Sequence, residues 1–108
     1  MNDAQKLLST IHAMAPAISV RSAEIEAARE LPTDLVSDHI AAGCFRMFVP
    51  RSHSGLEIDL PASLAIFEEL ARADASTGWT VMIGSESALL FALLPRRRFD
   101  ALLPKDPT

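Results

Sequence analysis

The sequence predicts an all-α fold of five to six helices, packed as an orthogonal or up-down bundle around one central apolar helix. Three observations carry this prediction. Alanine and leucine, both strong helix formers, dominate a composition that is 49% hydrophobic and 22% charged. Apolar residues recur at intervals of three and four along most of the chain. Its 108 residues also match the size of one domain, which we place at residues 1–108.

Proline and glycine divide the first half into three predicted helices. The first covers residues 3–14, and the second begins at Pro16 and runs to about residue 30, because proline is tolerated in the first turn of a helix. The third follows Pro32 and stops at Gly43, a residue type that favours helix C-termini. We expect one face of the third helix to be apolar and to hold Leu35, Val36, His39 and Ile40.

The middle of the chain predicts a break and then another helix. Residues 45–49 alternate loosely and end at a proline, which favours a short extended connector. Residues 51–59 are predicted to form a loop in which Gly55 is available for a positive φ angle. The fourth helix should cover residues 61–74, with an inward face made of Leu64, Phe67, Leu70 and Ala71.

The fifth helix is the most apolar element. It is predicted at residues 78–94, with Ser76 or Thr77 as its N-terminal cap. Because it is apolar nearly all round, we expect neighbouring helices to surround it. Pro95 ends it, residues 96–103 form a short last helix, and residues 104–108 are predicted to be a truncated linker.

Charge and composition exclude several classes of function. The formal net charge of −4 provides no basic field for nucleic acid or an anionic membrane surface. The apolar window at residues 78–94 is too short for a membrane span and has Ser85, Glu86 and Ser87 at its middle. The N-terminus lacks the basic start of a signal peptide, so we expect a cytoplasmic protein. The single cysteine, Cys44, excludes an internal disulfide and a cysteine-based metal cluster.

No self-sufficient active site is predicted, and no metal site. The three histidines are far apart: His39 is expected to be structural or on the surface, and His53 to be an exposed loop residue. Glu86 shares a face of the fifth helix with Trp79 and Ile83. A carboxylate there must find a partner, become protonated or reach solvent, so a pocket position and a surface or interface position both stay open.

Three segments, in this order, resemble the N-terminal helical domain of the acyl-CoA dehydrogenase superfamily. They are AAGCF at residues 41–45 followed by FVP at 48–50, SGLE at 54–57, and FEELARADAS at 67–76. The likeness covers about residues 18–103. The sequence STGW at residues 76–79 is more similar to the flavin-dependent monooxygenase and hydroxylase branch. Ser54 departs from the family, which more often has a second glycine there.

The resemblance implies a domain that shapes the substrate pocket of a larger flavin-dependent oxidoreductase, performing acyl-CoA dehydrogenation or hydroxylation. FAD or reduced FMN would be held by a β-domain and a C-terminal helical domain that this chain lacks, and the full-length enzyme would be a homo-oligomer. Whether this chain is itself an enzyme stays open. The pocket candidates, taken from helix position and from the analysis of Glu86, are Trp79, Ile83, Gly84, Glu86 and Ser87.

Other interpretations compete with this one. Trp79 and Ile83 could be core residues of the fold rather than residues that line a pocket. The chain as a whole could instead be a stand-alone helical interaction module without catalysis, or an unstable fragment. A pocket domain should expose a large apolar patch where the β-domain docks, whereas a surface that is polar throughout would favour a self-contained module.

Overall fold

Six α-helices follow one another along residues 2–103, which are the residues that the computed structural model describes. They are α1 (Asp3–Ser19), α2 (Ser22–Ala28), α3 (Thr33–Ala42), α4 (Leu60–Ala73), α5 (Ala75–Phe91) and α6 (Arg96–Leu102), with 3-10 turns at Cys44–Arg46 and Arg51–His53. No strand occurs in this part of the chain, so the predicted all-α class is confirmed. The linker predicted at residues 104–108 lies outside the described residues.

The first helix is longer than predicted, because α1 continues through Pro16 to Ser19. Its buried stripe of Leu7, Ile11 and Ile18 packs against α4. Burying an isoleucine contributes about 1.5–3 kcal/mol, which offsets much of the cost of a proline inside a helix. A second helix does form, but it starts at Ser22 rather than at Pro16.

The third helix ends as predicted, at Gly43 with a φ of 95°. The predicted apolar face is only partly inside. Leu35 and His39 are buried and Val36 is half-buried, whereas Ile40 is exposed.

The connector predicted to be extended at residues 45–49 is a series of tight turns instead. The following loop folds back on it, and the backbone N–H of Glu57 donates to the carbonyl of Val49 at 3.0 Å. Positive φ angles occur at Ser54 and Glu57, at 64° and 46°, and not at the predicted Gly55. Gly55 serves close packing, because a Cβ atom there would lie 1.9 Å from the carbonyl oxygen of Val49.

The fourth and fifth helices form a hairpin whose junction is Asp74. Its carboxylate accepts from the backbone N–H of Thr77 at 2.7 Å and from the hydroxyl of Ser22, also at 2.7 Å. The cap of α5 is therefore Asp74 rather than Ser76 or Thr77, and α5 starts at Ala75, three residues earlier than residue 78.

The inward face of α4 is rotated from the predicted one. Phe67 and Leu70 are buried as expected, but the other two predicted residues, Leu64 and Ala71, are exposed. Ser63 and Ile66 take the inner positions because the stripe that they share with Leu70 packs against α1. None of the helices within residues 2–103 combines the length and hydropathy that a bilayer crossing requires.

Candidate functional site

One face of α5 is uncovered. The opposite face points into the core through Thr77, Gly78, Val81, Ser85 and Ala88. Trp79 and Leu90 are each 63% exposed and Ile83 is 38% exposed. Neighbours therefore do not surround α5 within the described chain, and Trp79 and Ile83 do not belong to the core that residues 2–103 form.

The exposed residues form a continuous stripe because their spacing of four, three and four residues keeps them on one side of the helix. We call this stripe the Trp79 face; it consists of Trp79, Ile83, Glu86 and Leu90. Further exposed leucines flank the end of the helix, namely Leu89, Leu93 and Leu94. Contiguous apolar surface of this kind marks sites where proteins bind ligands or other protein surfaces.

An open groove of about 700 Å³ begins at the Trp79 end of this face. The start of α5 forms one side of it, and the end of α2 with the residues after it forms the other. Its lining is Ile25, Glu26, Arg29, Glu30, Leu31, Ala75, Ser76, Trp79 and Thr80. The volume suits a small molecule, but ligand sites enclose most of their ligand. The groove can therefore supply one wall of a site, with an aromatic ring and both signs of charge.

Glu86 lies within the Trp79 face and is exposed. Among residues 2–103 its carboxylate has no hydrogen-bond or ion-pair partner. From the sequence, three outcomes were open for this carboxylate: a partner, protonation or contact with solvent. In the described chain it is in contact with solvent.

Gly84 and Ser87 lie on a neighbouring side of the helix. Gly84 is five positions after Trp79, which places the two residues about 140° apart around the helix axis. A Cβ atom at Gly84 would lie 2.7 Å from Cε1 of Phe45, so the glycine permits the close approach of another element, as expected. The hydroxyl of Ser87 donates to the carbonyl of Ile83 at 3.3 Å, the local bond common for serines within helices.

A polar pair that the sequence did not predict lies elsewhere and joins a buried histidine to a partly exposed aspartate. The side chain of His53 is only 3% exposed, so the expectation of an exposed loop residue is wrong. Its Nε2 lies 2.7 Å from Oδ1 of Asp100, and its Nδ1 lies 2.8 Å from the hydroxyl of Ser52. Its ring meets the ring of Phe99 edge-on at 4.8 Å. The hydrogen bond from His53 lowers the pKa of Asp100.

The two remaining candidates for chemistry, His39 and Cys44, are both buried. His39 is fully buried, and its Nδ1–H donates to the carbonyl of Leu35. Cys44 is buried, which raises the pKa of its thiol to about 11, so it packs as a small apolar side chain. Within residues 2–103, no three His, Cys, Asp or Glu side chains converge on a possible metal position.

Comparison with known proteins matches the chain to one family and to curated relatives. The family of acyl-CoA dehydrogenase N-terminal domains matches residues 2–94. The flavin-dependent monooxygenase oxygenase subunit HsaA of Mycobacterium tuberculosis, in strains CDC 1551 / Oshkosh and ATCC 25618 / H37Rv, is 29% identical over 106 residues. The match covers 98% of this chain but 27% of each relative, so the chain spans about a quarter of the length of these curated relatives.

Proposed function

Because the chain belongs to the acyl-CoA dehydrogenase N-terminal domain family, we propose that it is the substrate-pocket domain of a flavin-dependent oxidoreductase. Similarity to a flavin-dependent monooxygenase favours hydroxylation over acyl-CoA dehydrogenation as the reaction. The proposal includes a longer polypeptide with a β-domain and a C-terminal helical domain, a homo-oligomeric assembly and a cytoplasmic location.

The observation that carries the proposal is the uncovered Trp79 face beside an open groove. Burying a large apolar side chain contributes about 1.5–3 kcal/mol, so leaving Trp79 and Leu90 in water forgoes a substantial stabilisation. The packing of α5 against α4 uses only its other face. A second surface placed over the Trp79 face would bury these side chains and close the groove into a pocket.

In this pocket the chain acts through binding and desolvation. The indole of Trp79 offers a flat apolar surface that suits an aromatic or acyl group, and Ile83 extends this wall by one helical turn. Excluding water from the reacting atoms strengthens the electrostatic interactions between substrate and enzyme. None of the candidate pocket residues needs to exchange a proton for this role.

The flavin belongs to the parts of the enzyme beyond this chain. The grooves formed by residues 2–103 are open, and the four glycines at positions 43, 55, 78 and 84 are too scattered for a phosphate-binding loop. These residues do not fit the role of holding FAD or reduced FMN. When bound by the remaining segments, the flavin would supply the redox chemistry.

The first test is the mass of the natural gene product, measured together with its absorbance in the flavin bands. A longer polypeptide that retains flavin supports the proposed role. A flavin-free product with the mass of this chain contradicts it and favours the helical interaction module, in which a partner chain covers the Trp79 face. Size-exclusion chromatography of the same preparation tests the homo-oligomer.

A further inference from the structure

Glu86 is the one charged residue in α5 (Ala75–Phe91). On the Trp79 face it follows Trp79 and Ile83 and precedes Leu90, so apolar side chains lie on both sides of it along the stripe. In the described chain, solvent is the only stabilising contact of this carboxylate. Any surface that buries its apolar neighbours will also remove water from Glu86.

Removing water from an unpaired carboxylate is costly, and apolar contacts alone do not compensate for the lost hydration. A covering surface therefore has to present a cation or several hydrogen-bond donors at the position of Glu86. An arginine or lysine meets this need directly, and the guanidinium fork of arginine binds both carboxylate oxygens at once.

We propose that the Trp79 face is covered by a segment of the same polypeptide outside this chain, and that this segment carries an arginine or lysine paired with Glu86. The proposal rests on the proposed function for the existence of that segment. The matched relatives support it, because this chain accounts for only 27% of their length. The groove beside the Trp79 face also favours a basic segment, since its lining contains two glutamates and one arginine.

Such a pair fixes the position of the covering segment. Apolar contacts with Leu90 and the exposed leucines beside it supply most of the attraction but permit sliding along the helix. A charge pair at Glu86 selects one alignment, because any other arrangement leaves a desolvated charge without a partner.

The test compares three substitutions, Glu86→Leu, Glu86→Gln and Glu86→Lys, in the natural full-length polypeptide and in the chain of residues 1–108. Thermal unfolding is followed by circular dichroism. In the full-length protein we expect the leucine and glutamine variants to lower the midpoint by several degrees, and the lysine variant to lower it most. In the shorter chain, where Glu86 is in solvent, the leucine and glutamine variants should unfold within about a degree of the parent. Asp38→Asn, at an exposed position on α3, is the matched charge control.

Selection for suppressors of Glu86→Lys then identifies the partner, with an arginine or lysine changed to an acidic residue as the expected result. A full-length protein stabilised by Glu86→Leu would overturn the proposal, because the covering surface would then be apolar at this position. Full-length variants that melt like the parent would also overturn it, since Glu86 would remain in solvent.

Measuring flavin in the same preparations separates this inference from the proposed function. A longer, flavin-free protein that is destabilised by Glu86→Leu would contradict the proposed oxidoreductase function and support the proposed ion pair. A flavin-containing protein that is stabilised by Glu86→Leu would contradict the proposed ion pair and support the proposed oxidoreductase function. A natural product with the mass of this chain would contradict both.

Discussion

His53 Nε2 donates a hydrogen bond to Oδ1 of Asp100 across 2.7 Å, and this bond attaches α6 to the turn at Arg51–His53. The ionised carboxylate can only accept, so the proton lies on Nε2. The other ring nitrogen, Nδ1, lies 2.8 Å from the hydroxyl of Ser52. Phe99, from the same helix as Asp100, packs against the imidazole ring. One buried side chain thus organises the attachment of the last helix.

Removing this side chain should release α6 before the rest of the fold opens. We expect His53→Ala to destabilise the protein by about 1–3 kcal/mol, because it deletes a partly buried hydrogen bond and leaves a cavity beside Phe99. Hydrogen exchange should show the largest loss of protection in the amides of residues 96–102. His12→Ala is the control, because His12 is exposed although it also pairs with a glutamate, at 2.9 Å. Equal effects of the two substitutions would contradict the role of His53.

The same pair predicts how the attachment of α6 depends on pH. The hydrogen bond from His53 lowers the pKa of Asp100, with Arg96 adding a smaller effect of the same sign. A carboxyl group with a lowered pKa stabilises the fold above its unfolded pKa, about 3.9, and loses that contribution as the pH falls through the folded pKa. We therefore expect exchange protection of α6 to be constant between pH 5 and 6 and to fall below about pH 4.

Asp100→Asn is the variant that isolates this effect, because it removes the titrating group and keeps the shape. Its α6 protection should be lower than that of the parent at pH 6, and the difference should shrink towards pH 3. A difference that stays constant over this range would show that the Asp100 carboxyl does not supply the pH dependence.

The features that the sequence predicted well are those encoded within a few residues. Gly43 ends α3 because a left-handed residue is needed there, and Pro95 separates α5 from α6 because it cannot continue a helix. The sequence also signals that α5 is apolar on every side. It does not tell which apolar side this chain covers, since that depends on where α4 and the turn at Cys44–Arg46 pack.

The features that sequence reasoning missed depend on contacts distant along the chain. Pro16 indicated a helix start, but α1 continues through it because Ile18 reaches the core. His53 and Asp100 are 47 residues apart, and neither neighbourhood carries a pattern that predicts their pairing. Ser76 and Thr77 were reasonable caps by residue type. Asp74 takes this place because its carboxylate also accepts from Ser22 of α2.

Two glycines of α5 should respond differently to the same substitution. A Cβ atom at Gly78 would lie 2.9 Å from the backbone nitrogen of Ala71, so α4 and α5 would have to separate. At Gly84 the obstacle is the ring of Phe45, which can turn aside. Alanine gains about 1 kcal/mol over glycine in helix propensity at either position. We expect Gly78→Ala to destabilise by about 1–3 kcal/mol despite that gain.

Gly84→Ala serves as the matched comparison on the same helix, and its effect should be smaller by at least about 1 kcal/mol. Urea unfolding followed by circular dichroism measures both variants. If Gly78→Ala were as mild as Gly84→Ala, the close contact between α4 and α5 at Ala71 would not limit their packing.

The Trp79 face should contribute little to the stability of this chain and much to the function of the full-length protein. Since Trp79 is 63% exposed, Trp79→Ala should change the free energy of unfolding of the isolated chain by less than about 1 kcal/mol. The proposed function predicts that the same substitution in a flavin-containing full-length polypeptide lowers kcat/KM at least tenfold, because the pocket loses its aromatic wall and admits water. Val20→Ala is the control, since Val20 is 83% exposed and lies outside the Trp79 face. If the full-length Trp79→Ala and Val20→Ala proteins had the same kcat/KM, the substrate would bind elsewhere. If only Trp79→Ala lowered kcat/KM, α5 would be the wall of the pocket at which substrate specificity can be altered.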